Sequence, residues 1–86
     1  MRYTLIWRPT AEAALAHLWN TASDRQAVTD AADTIDSALR DSPLLVGESR
    51  GGNTRIVMAS PLAVYCDVSE ADRTVHVWAV WRSRGS

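Results

Sequence analysis

The sequence predicts a single α+β domain in which a helical hairpin packs on one face of a mainly antiparallel sheet. The predicted order is β-α-α-β-β-β(-β), where the bracket marks one further short strand. Apolar residues recur at helical spacing between residues 11 and 39 and alternate with other residues between residues 53 and 82. A chain of 86 residues has room for one hydrophobic core, so residues 1–86 are interpreted as one domain.

The first 22 residues predict a strand followed by a helix. Residues 3–8 form a short apolar run that ends at Pro9, which is typical of a strand. Pro9 and Thr10 are residues that favour a helix start. The apolar arc of this first helix contains Ala11, Ala14, Leu15, Leu18, Trp19 and Ala22.

A second helix is predicted to begin at Ser23, with Gln26 completing a capping box. It ends before Pro43, because the residue that precedes a proline avoids helical backbone. Alanine is frequent on the apolar sides of both helices, which allows them to approach closely as a hairpin. The apolar stripe of the second helix contains Val28, Ala31, Ala32, Ile35 and Leu39, and Asp30, Asp33 and Asp36 lie on its other side.

The rest of the chain predicts strands over residues 53–59, 62–68 and 73–82, with a short strand near residues 47–50 before the Gly51-Gly52 turn. Because side chains alternate between the faces of a strand, each strand divides into two sets. The predicted inward set is Ile56, Met58, Leu62, Val64, Cys66, Val68, Val75, Val77, Ala79 and, at its end, Trp81. The predicted outward set is Arg55, Val57, Ala63, Tyr65, Asp67, His76, Trp78, Val80 and Arg82. The hairpin covers one face only, so the outward set is expected to meet solvent or a partner.

Composition restricts the class of protein. All 9 basic residues are arginine and the formal net charge is −1, so any phosphate-binding site must be local. No apolar run approaches the ~18 residues that cross a bilayer. The single cysteine, Cys66, forms no internal disulfide, which predicts a reducing cytoplasm. No pair of Cys or His residues has the spacing of zinc ligands, and we expect no metal and no cofactor.

The order and spacing of several segments resemble the RelE/ParE toxin superfamily. They are residues 3–7, Leu18-Trp19, residues 31–36, Leu39, Pro43, Gly47, Arg55, residues 61–65 and residues 72–80. The resemblance implies the fold described above. It also implies a toxin of a type II toxin–antitoxin system, such as those of plasmid stabilisation, bound by a cognate antitoxin.

The resemblance leaves two activities open. RelE-like members cut messenger RNA in the ribosome with side chains of the open sheet face and C-terminal segment, whereas ParE-like members poison DNA gyrase. Arg82 and Arg84 match the basic pair near the end of the last strand in RelE-like nucleases. Ala63 stands where these nucleases usually have an arginine, lysine is absent, and no tyrosine follows Arg84. These departures favour a ParE-like or attenuated member, and a catalytically inert binding module on the same fold is the alternative.

RNA cleavage would need an acid or base and groups that hold the phosphate. The candidate catalytic residues are Arg55, His76 and Arg82, because imidazole titrates near neutral pH and arginine binds phosphate. The candidate target- or antitoxin-binding residues are Tyr65, Trp78 and Arg84. For Tyr65 and Trp78 the alternative is ordinary sheet packing, or cover of the sheet by the antitoxin or a second copy. For His76 the alternative is a half-exposed strand position paired with a cross-strand neighbour. A homodimer is left open.

Overall fold

The computed structural model describes residues 2–83 and confirms the predicted α+β class. The strands form one sheet in the order β1-β5-β4-β3-β2. Neighbouring strands are antiparallel, except that β1 and β5 are parallel. The elements are β1 (Thr4–Trp7), α1 (Pro9–Thr21), α2 (Arg25–Asp41), β2 (Glu48–Ser49), β3 (Thr54–Ala59), β4 (Leu62–Ser69) and β5 (Thr74–Arg82).

The first helix begins and packs as its sequence predicts. Pro9 occupies the first turn, where the missing N–H costs no hydrogen bond. Most of the predicted apolar arc packs on the core, but Trp19 is 41% exposed. Neither helix within residues 2–83 is long and apolar enough to cross a membrane.

The start of the second helix differs from the prediction. Asp24, not Ser23, is the N-cap residue, and no side chain caps the helix. Gln26 does not complete a capping box, because its amide donates a hydrogen bond to Asp30 Oδ1 at 2.8 Å. The carboxylate of Asp24 accepts a bond from Arg82 instead. The predicted end before Pro43 is confirmed, with Ser42 as the C-cap.

The core lies between the hairpin and one face of the sheet. We call this face the helix side. The buried residues of α2 are Val28, Ala31, Ile35 and Leu39, as its stripe predicts. The helix α2 packs against β1, β3 and β4, and α1 packs against β5. The sheet contributes Leu5, Val57, Leu62, Val64, Cys66, Val68, Val75, Val77 and Val80 to this core.

A β-bulge between β4 and β5 reverses the alternation of side chains in β5. Tyr65 lies opposite Ala79, but the next residue, Cys66, lies opposite Val77. Trp78 is therefore the extra residue of the bulge. Beyond it, Val80 joins the core, opposite Val64. Ala79 and Trp81 share the opposite face with Tyr65, so the predictions for Val80, Ala79 and Trp81 were wrong.

The predicted faces of β3 were also wrong. Val57 pairs with Val64 and lies in the core, whereas Ile56 and Met58 pair with Tyr65 and Ala63 on the other face. Arg55 pairs with Cys66 and is on the helix side. The run Ile56-Val57-Met58 has no polar residue to mark a face, so hydrophobicity alone could not assign its alternation.

We expect the core to depend strongly on Leu39. Its side chain is 0% exposed, so Leu39→Ala should lower the free energy of unfolding by about 2–5 kcal/mol through lost burial and a residual cavity. Leu45→Ala is the matched control, because Leu45 is 85% exposed and its truncation should cost under about 0.5 kcal/mol. Urea denaturation of both variants measures the difference. Equal losses would contradict this location of the core.

Candidate functional site on the open sheet face

The sheet face opposite the hairpin, here called the open face, carries an aromatic cluster of Tyr65, Trp78 and Trp81. The Tyr65 ring stacks on Trp78 with centroids 5.1 Å apart and planes inclined by 11°. On its other side the ring meets Trp81 at 4.9 Å and 47°. Such ring pairs stabilise their arrangement beyond simple burial. The cluster exists because the bulge turns Trp81 to the same face as Tyr65.

Asp67 fixes the orientation of Trp78. Its Oδ1 atom accepts a hydrogen bond from Trp78 Nε1 at 3.1 Å and another from Thr54 Oγ1 at 2.7 Å. The indole N–H therefore has a partner although Trp78 is 37% exposed. These two hydrogen bonds hold the Asp67 carboxylate and the exposed Trp78 ring in one position. The ring therefore loses less entropy when a partner binds to it.

Exposed apolar side chains extend the open face beyond the cluster. Ile6 on β1 is 41% exposed and Met58 on β3 is 58% exposed. Their strands lie on opposite sides of the pair β4 and β5 that carries the aromatic cluster. Contiguous exposed apolar surface on a small domain is typical of an interaction site. His76 is half-buried on this face, opposite Asp67 in the register.

Arg55 was predicted on the open face, but it braces a loop on the helix side. Its Nε donates to the carbonyl oxygen of Val46 at 3.1 Å, and its Nη2 donates to that of Gly47 at 3.4 Å. These bonds satisfy backbone carbonyls of the segment between α2 and β2. The guanidinium therefore points away from His76.

Arg82 was also predicted on the open face, and it too lies on the helix side. It is opposite Leu62, a core residue. Its Nη2 donates to Asp24 Oδ2 at 2.6 Å, which ties the end of β5 to the turn between the helices. This hydrogen bond holds the pKa of the Asp24 carboxyl below its ordinary value. Arg84 lies outside the described residues.

The structure thus separates the candidate catalytic residues. His76 is on the open face, and Arg55 and Arg82 are on the helix side. Tyr65 and Trp78 do lie together, as their alternation predicts. Sequence reasoning missed Trp81 and the ordering role of Asp67, since both depend on the bulge and on contacts across strands.

The remaining reactive groups do not form a second site. Burial raises the pKa of the Cys66 thiol to about 11, so the thiol is protonated at neutral pH. No three His, Cys, Asp or Glu side chains within residues 2–83 are grouped as metal ligands would be.

The sequence matches no protein-family model and no curated protein. Solved structures do match. A chain of the RelBE2 toxin–antitoxin complex from Mycobacterium tuberculosis superposes with a TM-score of 0.78 at 19% identity, over 95% of this chain and 99% of that one. A chain of the chromosomal ParDE system from P. aeruginosa gives 0.73 at 15% identity, over 95% and 97%. The isolated E. coli RelE toxin gives 0.60 at 18% identity, over 98% and 87%.

The chain has the RelE/ParE toxin fold. Its agreement with these structures extends over nearly the whole length of both chains, so the fold that the sequence resemblance implied is confirmed. At sequence identities below one fifth, these matches show a shared fold and do not by themselves assign an activity. In this RelE/ParE fold the hairpin shields one side of the sheet, and the aromatic cluster lies on the side that the hairpin leaves bare.

The ion pair between Asp24 and Arg82 should make stability depend on pH in the acid range. The lowered pKa of Asp24 means that the unfolded chain binds this proton more readily than the folded one. The ion pair therefore stabilises the fold at pH values above the ordinary carboxyl pKa of about 3.9. This stabilisation is lost as the pH falls through the lowered pKa of Asp24.

We expect Asp24→Asn to lower the melting temperature at pH 7 and to make little difference at the lowest pH that the fold tolerates. Thermal denaturation from pH 7 downward measures this, with Asp30→Asn on the exposed side of α2 as the control. A pH-independent difference between Asp24→Asn and the unmodified protein would contradict the assignment.

Proposed function

We propose that this protein is the toxin of a type II toxin–antitoxin pair, which arrests growth when free and is silent when its antitoxin is bound. The observation that carries the proposal is the bare aromatic and apolar open face on a fold shared with RelE- and ParE-system chains over nearly their full length. The RelBE2 neighbour from Mycobacterium tuberculosis was solved as a toxin–antitoxin complex.

An antitoxin explains the exposed side chains of the open face. Trp78, Met58 and Ile6 keep apolar area in water, and burying that area against a partner releases about 25 cal/mol per Å². Ordered aromatic residues are frequent at the centres of protein interfaces. Tyr65, Trp78 and Arg84 are the residues that we propose contact the antitoxin or the target.

We favour growth arrest without RNA cleavage. Cleavage needs a proton acceptor and, close to it, a positive charge that stabilises the phosphate. Arg55 and Arg82 are engaged with backbone carbonyls and with Asp24, on the side of the sheet away from His76. This separation supports a ParE-like action on DNA gyrase over a RelE-like action on messenger RNA. Both targets are cytoplasmic, and we propose that compartment for this protein.

Toxicity is tested by inducing the chain in a host, alone and together with the product of an adjacent small reading frame. We expect colony formation to fall at least about tenfold when the chain is alone and to recover on co-expression. Leu39→Ala is the control for a destabilised chain, and immunoblotting measures its abundance. Undiminished growth with abundant folded protein would favour the inert binding module instead.

The mechanism is tested with the purified chain in two assays. We expect gyrase to accumulate cleaved DNA, and we expect messenger RNA in a translation extract to remain intact. Arg82→Ala should leave growth inhibition unchanged where its folded abundance is unchanged, because Arg82 pairs with Asp24 on the helix side. Truncated messenger RNA together with loss of toxicity in Arg82→Ala would contradict this proposal and would support RNA cleavage.

A further inference from the structure

Apolar and aromatic side chains of the open face follow a diagonal line across the sheet. Ile6 lies on the edge strand β1, and Trp78 lies one row further along on β5. Tyr65 stacks on Trp78 from β4. Met58 lies on β3, opposite Ala63, which is two positions from Tyr65 on the same strand. We call Ile6, Trp78, Tyr65 and Met58 the apolar diagonal.

A carboxylate with a free oxygen lies on one side of the apolar diagonal. Asp67 on β4 is opposite His76 on β5. Its Oδ1 atom accepts both hydrogen bonds of this carboxylate, from Thr54 and Trp78. Within residues 2–83 its Oδ2 atom accepts no hydrogen bond, and this atom reaches solvent. Oδ2 is therefore available to a cation from another molecule.

An arginine without an ion pair lies on the other side of the apolar diagonal. Arg8 follows Ile6 by two positions, has extended backbone and donates its N–H to the Val77 carbonyl oxygen, so it continues β1. Side chains two positions apart in a strand share a face, which places Arg8 on the open face next to Trp78. Its side chain is exposed, and among residues 2–83 it forms no ion pair and contacts no ring.

This arrangement is complementary to itself. Arg8 and Asp67 belong to the two strands that flank β5, about 10 Å apart across the sheet. When two open faces meet, a two-fold axis can lie between them along the apolar diagonal. That axis brings each Arg8 over the Asp67 of the other copy and brings the two apolar diagonals together. A closed dimer needs such a patch, which serves both partners alike.

We propose that the open face binds the open face of a second copy of this chain. Ile6 and Trp78 lie close to the axis and would contact the same residues of the other copy. At each side, the Arg8 guanidinium would pair with Asp67 Oδ2. Trp78 is a suitable central anchor, because a tryptophan held in place before association loses little entropy when it is covered.

The size of the open face predicts a weak and reversible dimer. A sheet of five strands spaced ~4.8 Å apart and about 20 Å long has roughly 480 Å² of flat area. Two copies would therefore bury roughly 1,000 Å² in total, at the lower limit for a specific interface. Interfaces of this size are typically transient, so we expect a dissociation constant on the order of 10 μM.

The dimer would cover Tyr65 and Trp78, which we propose contact an antitoxin or a target. Two paired copies would have to separate before either residue meets another protein. This consequence rests on the proposed function, whereas the dimer itself does not. A chain that does not arrest growth would leave the dimer unaffected, and a toxic chain that stays monomeric would exclude the dimer alone.

Sedimentation velocity of the full chain, over about 1–300 μM, measures self-association. We expect a monomer that becomes a dimer as the concentration rises. Trp78→Ala should raise the dissociation constant at least about tenfold, because it removes the central contact. Trp19→Ala is the matched control, since Trp19 is similarly exposed and has a bonded N–H but lies on the hairpin.

Circular dichroism verifies that both tryptophan variants are folded. A chain that remains monomeric at the highest concentration would overturn the proposal. Equal weakening of the dimer by Trp78→Ala and Trp19→Ala would exclude the open face as the interface and would overturn it as well.

Charge reversal tests the pairing of Arg8 with Asp67. Arg8→Asp brings like charges together at both sides of the dimer, and so does Asp67→Arg, so each variant alone should be monomeric. An equimolar mixture of the two variants should form a heterodimer, because every such contact then joins opposite charges. Asp30→Arg, at an exposed position of α2, is the control and should dimerise as the unmodified chain does.

Asp67→Arg also removes the acceptor of the Trp78 N–H. Asp67→Asn keeps an acceptor oxygen there and removes only the charge, so it should weaken the dimer less than Asp67→Arg and more than Asp30→Arg. A mixture of Arg8→Asp and Asp67→Arg chains that stays monomeric, with both variants folded, would contradict the face-to-face dimer.

Discussion

The β-bulge opposite Tyr65 and Cys66 is the constraint on which the rest of the open face depends. One extra residue, Trp78, lets β5 supply core side chains before and after the bulge while its aromatic side chains collect on the other face. Without it, strict alternation would carry Trp81 into the core and leave Val80 in solvent. The same residue thus preserves the hydrophobic core and assembles a stacked aromatic cluster with Tyr65 at its centre.

Two arginines illustrate how this fold uses residues that a nuclease would need elsewhere. Arg55 satisfies backbone carbonyls between α2 and β2, and Arg82 ties the last strand to the turn between the helices. The Arg82 bond joins the sheet to the hairpin, and the Arg55 bonds join β3 to the loop that follows the hairpin. A guanidinium that serves the fold in this way is not positioned beside His76. This separation of the arginines from His76 is the geometric observation behind our proposal of protein recognition instead of chemistry on a phosphate.

The protein presents two different surfaces on opposite sides of its sheet. The open face is apolar and aromatic, with Asp67 ordering its most exposed ring. The groove between α1 and α2 is lined mainly by apolar side chains, with Glu12 and Asp33 also among its lining residues. Each surface has a tryptophan whose indole N–H is bonded within the chain, at Trp78 and at Trp19. A ring that is held in place before binding loses little entropy when a partner covers it.

The sequence by itself determined the order of the elements, the apolar stripe of α2 and the short strand before the Gly51-Gly52 turn. Periodicity, proline and glycine act locally, so these features can be predicted from neighbouring residues. It also placed Tyr65 and Trp78 together on one face. Only the tertiary structure decided the faces of Val57, Val80 and Trp81 and the partners of Arg55 and Arg82. Register and bulges depend on how one strand pairs with another, and long arginine side chains bond to whichever acceptor the fold brings near.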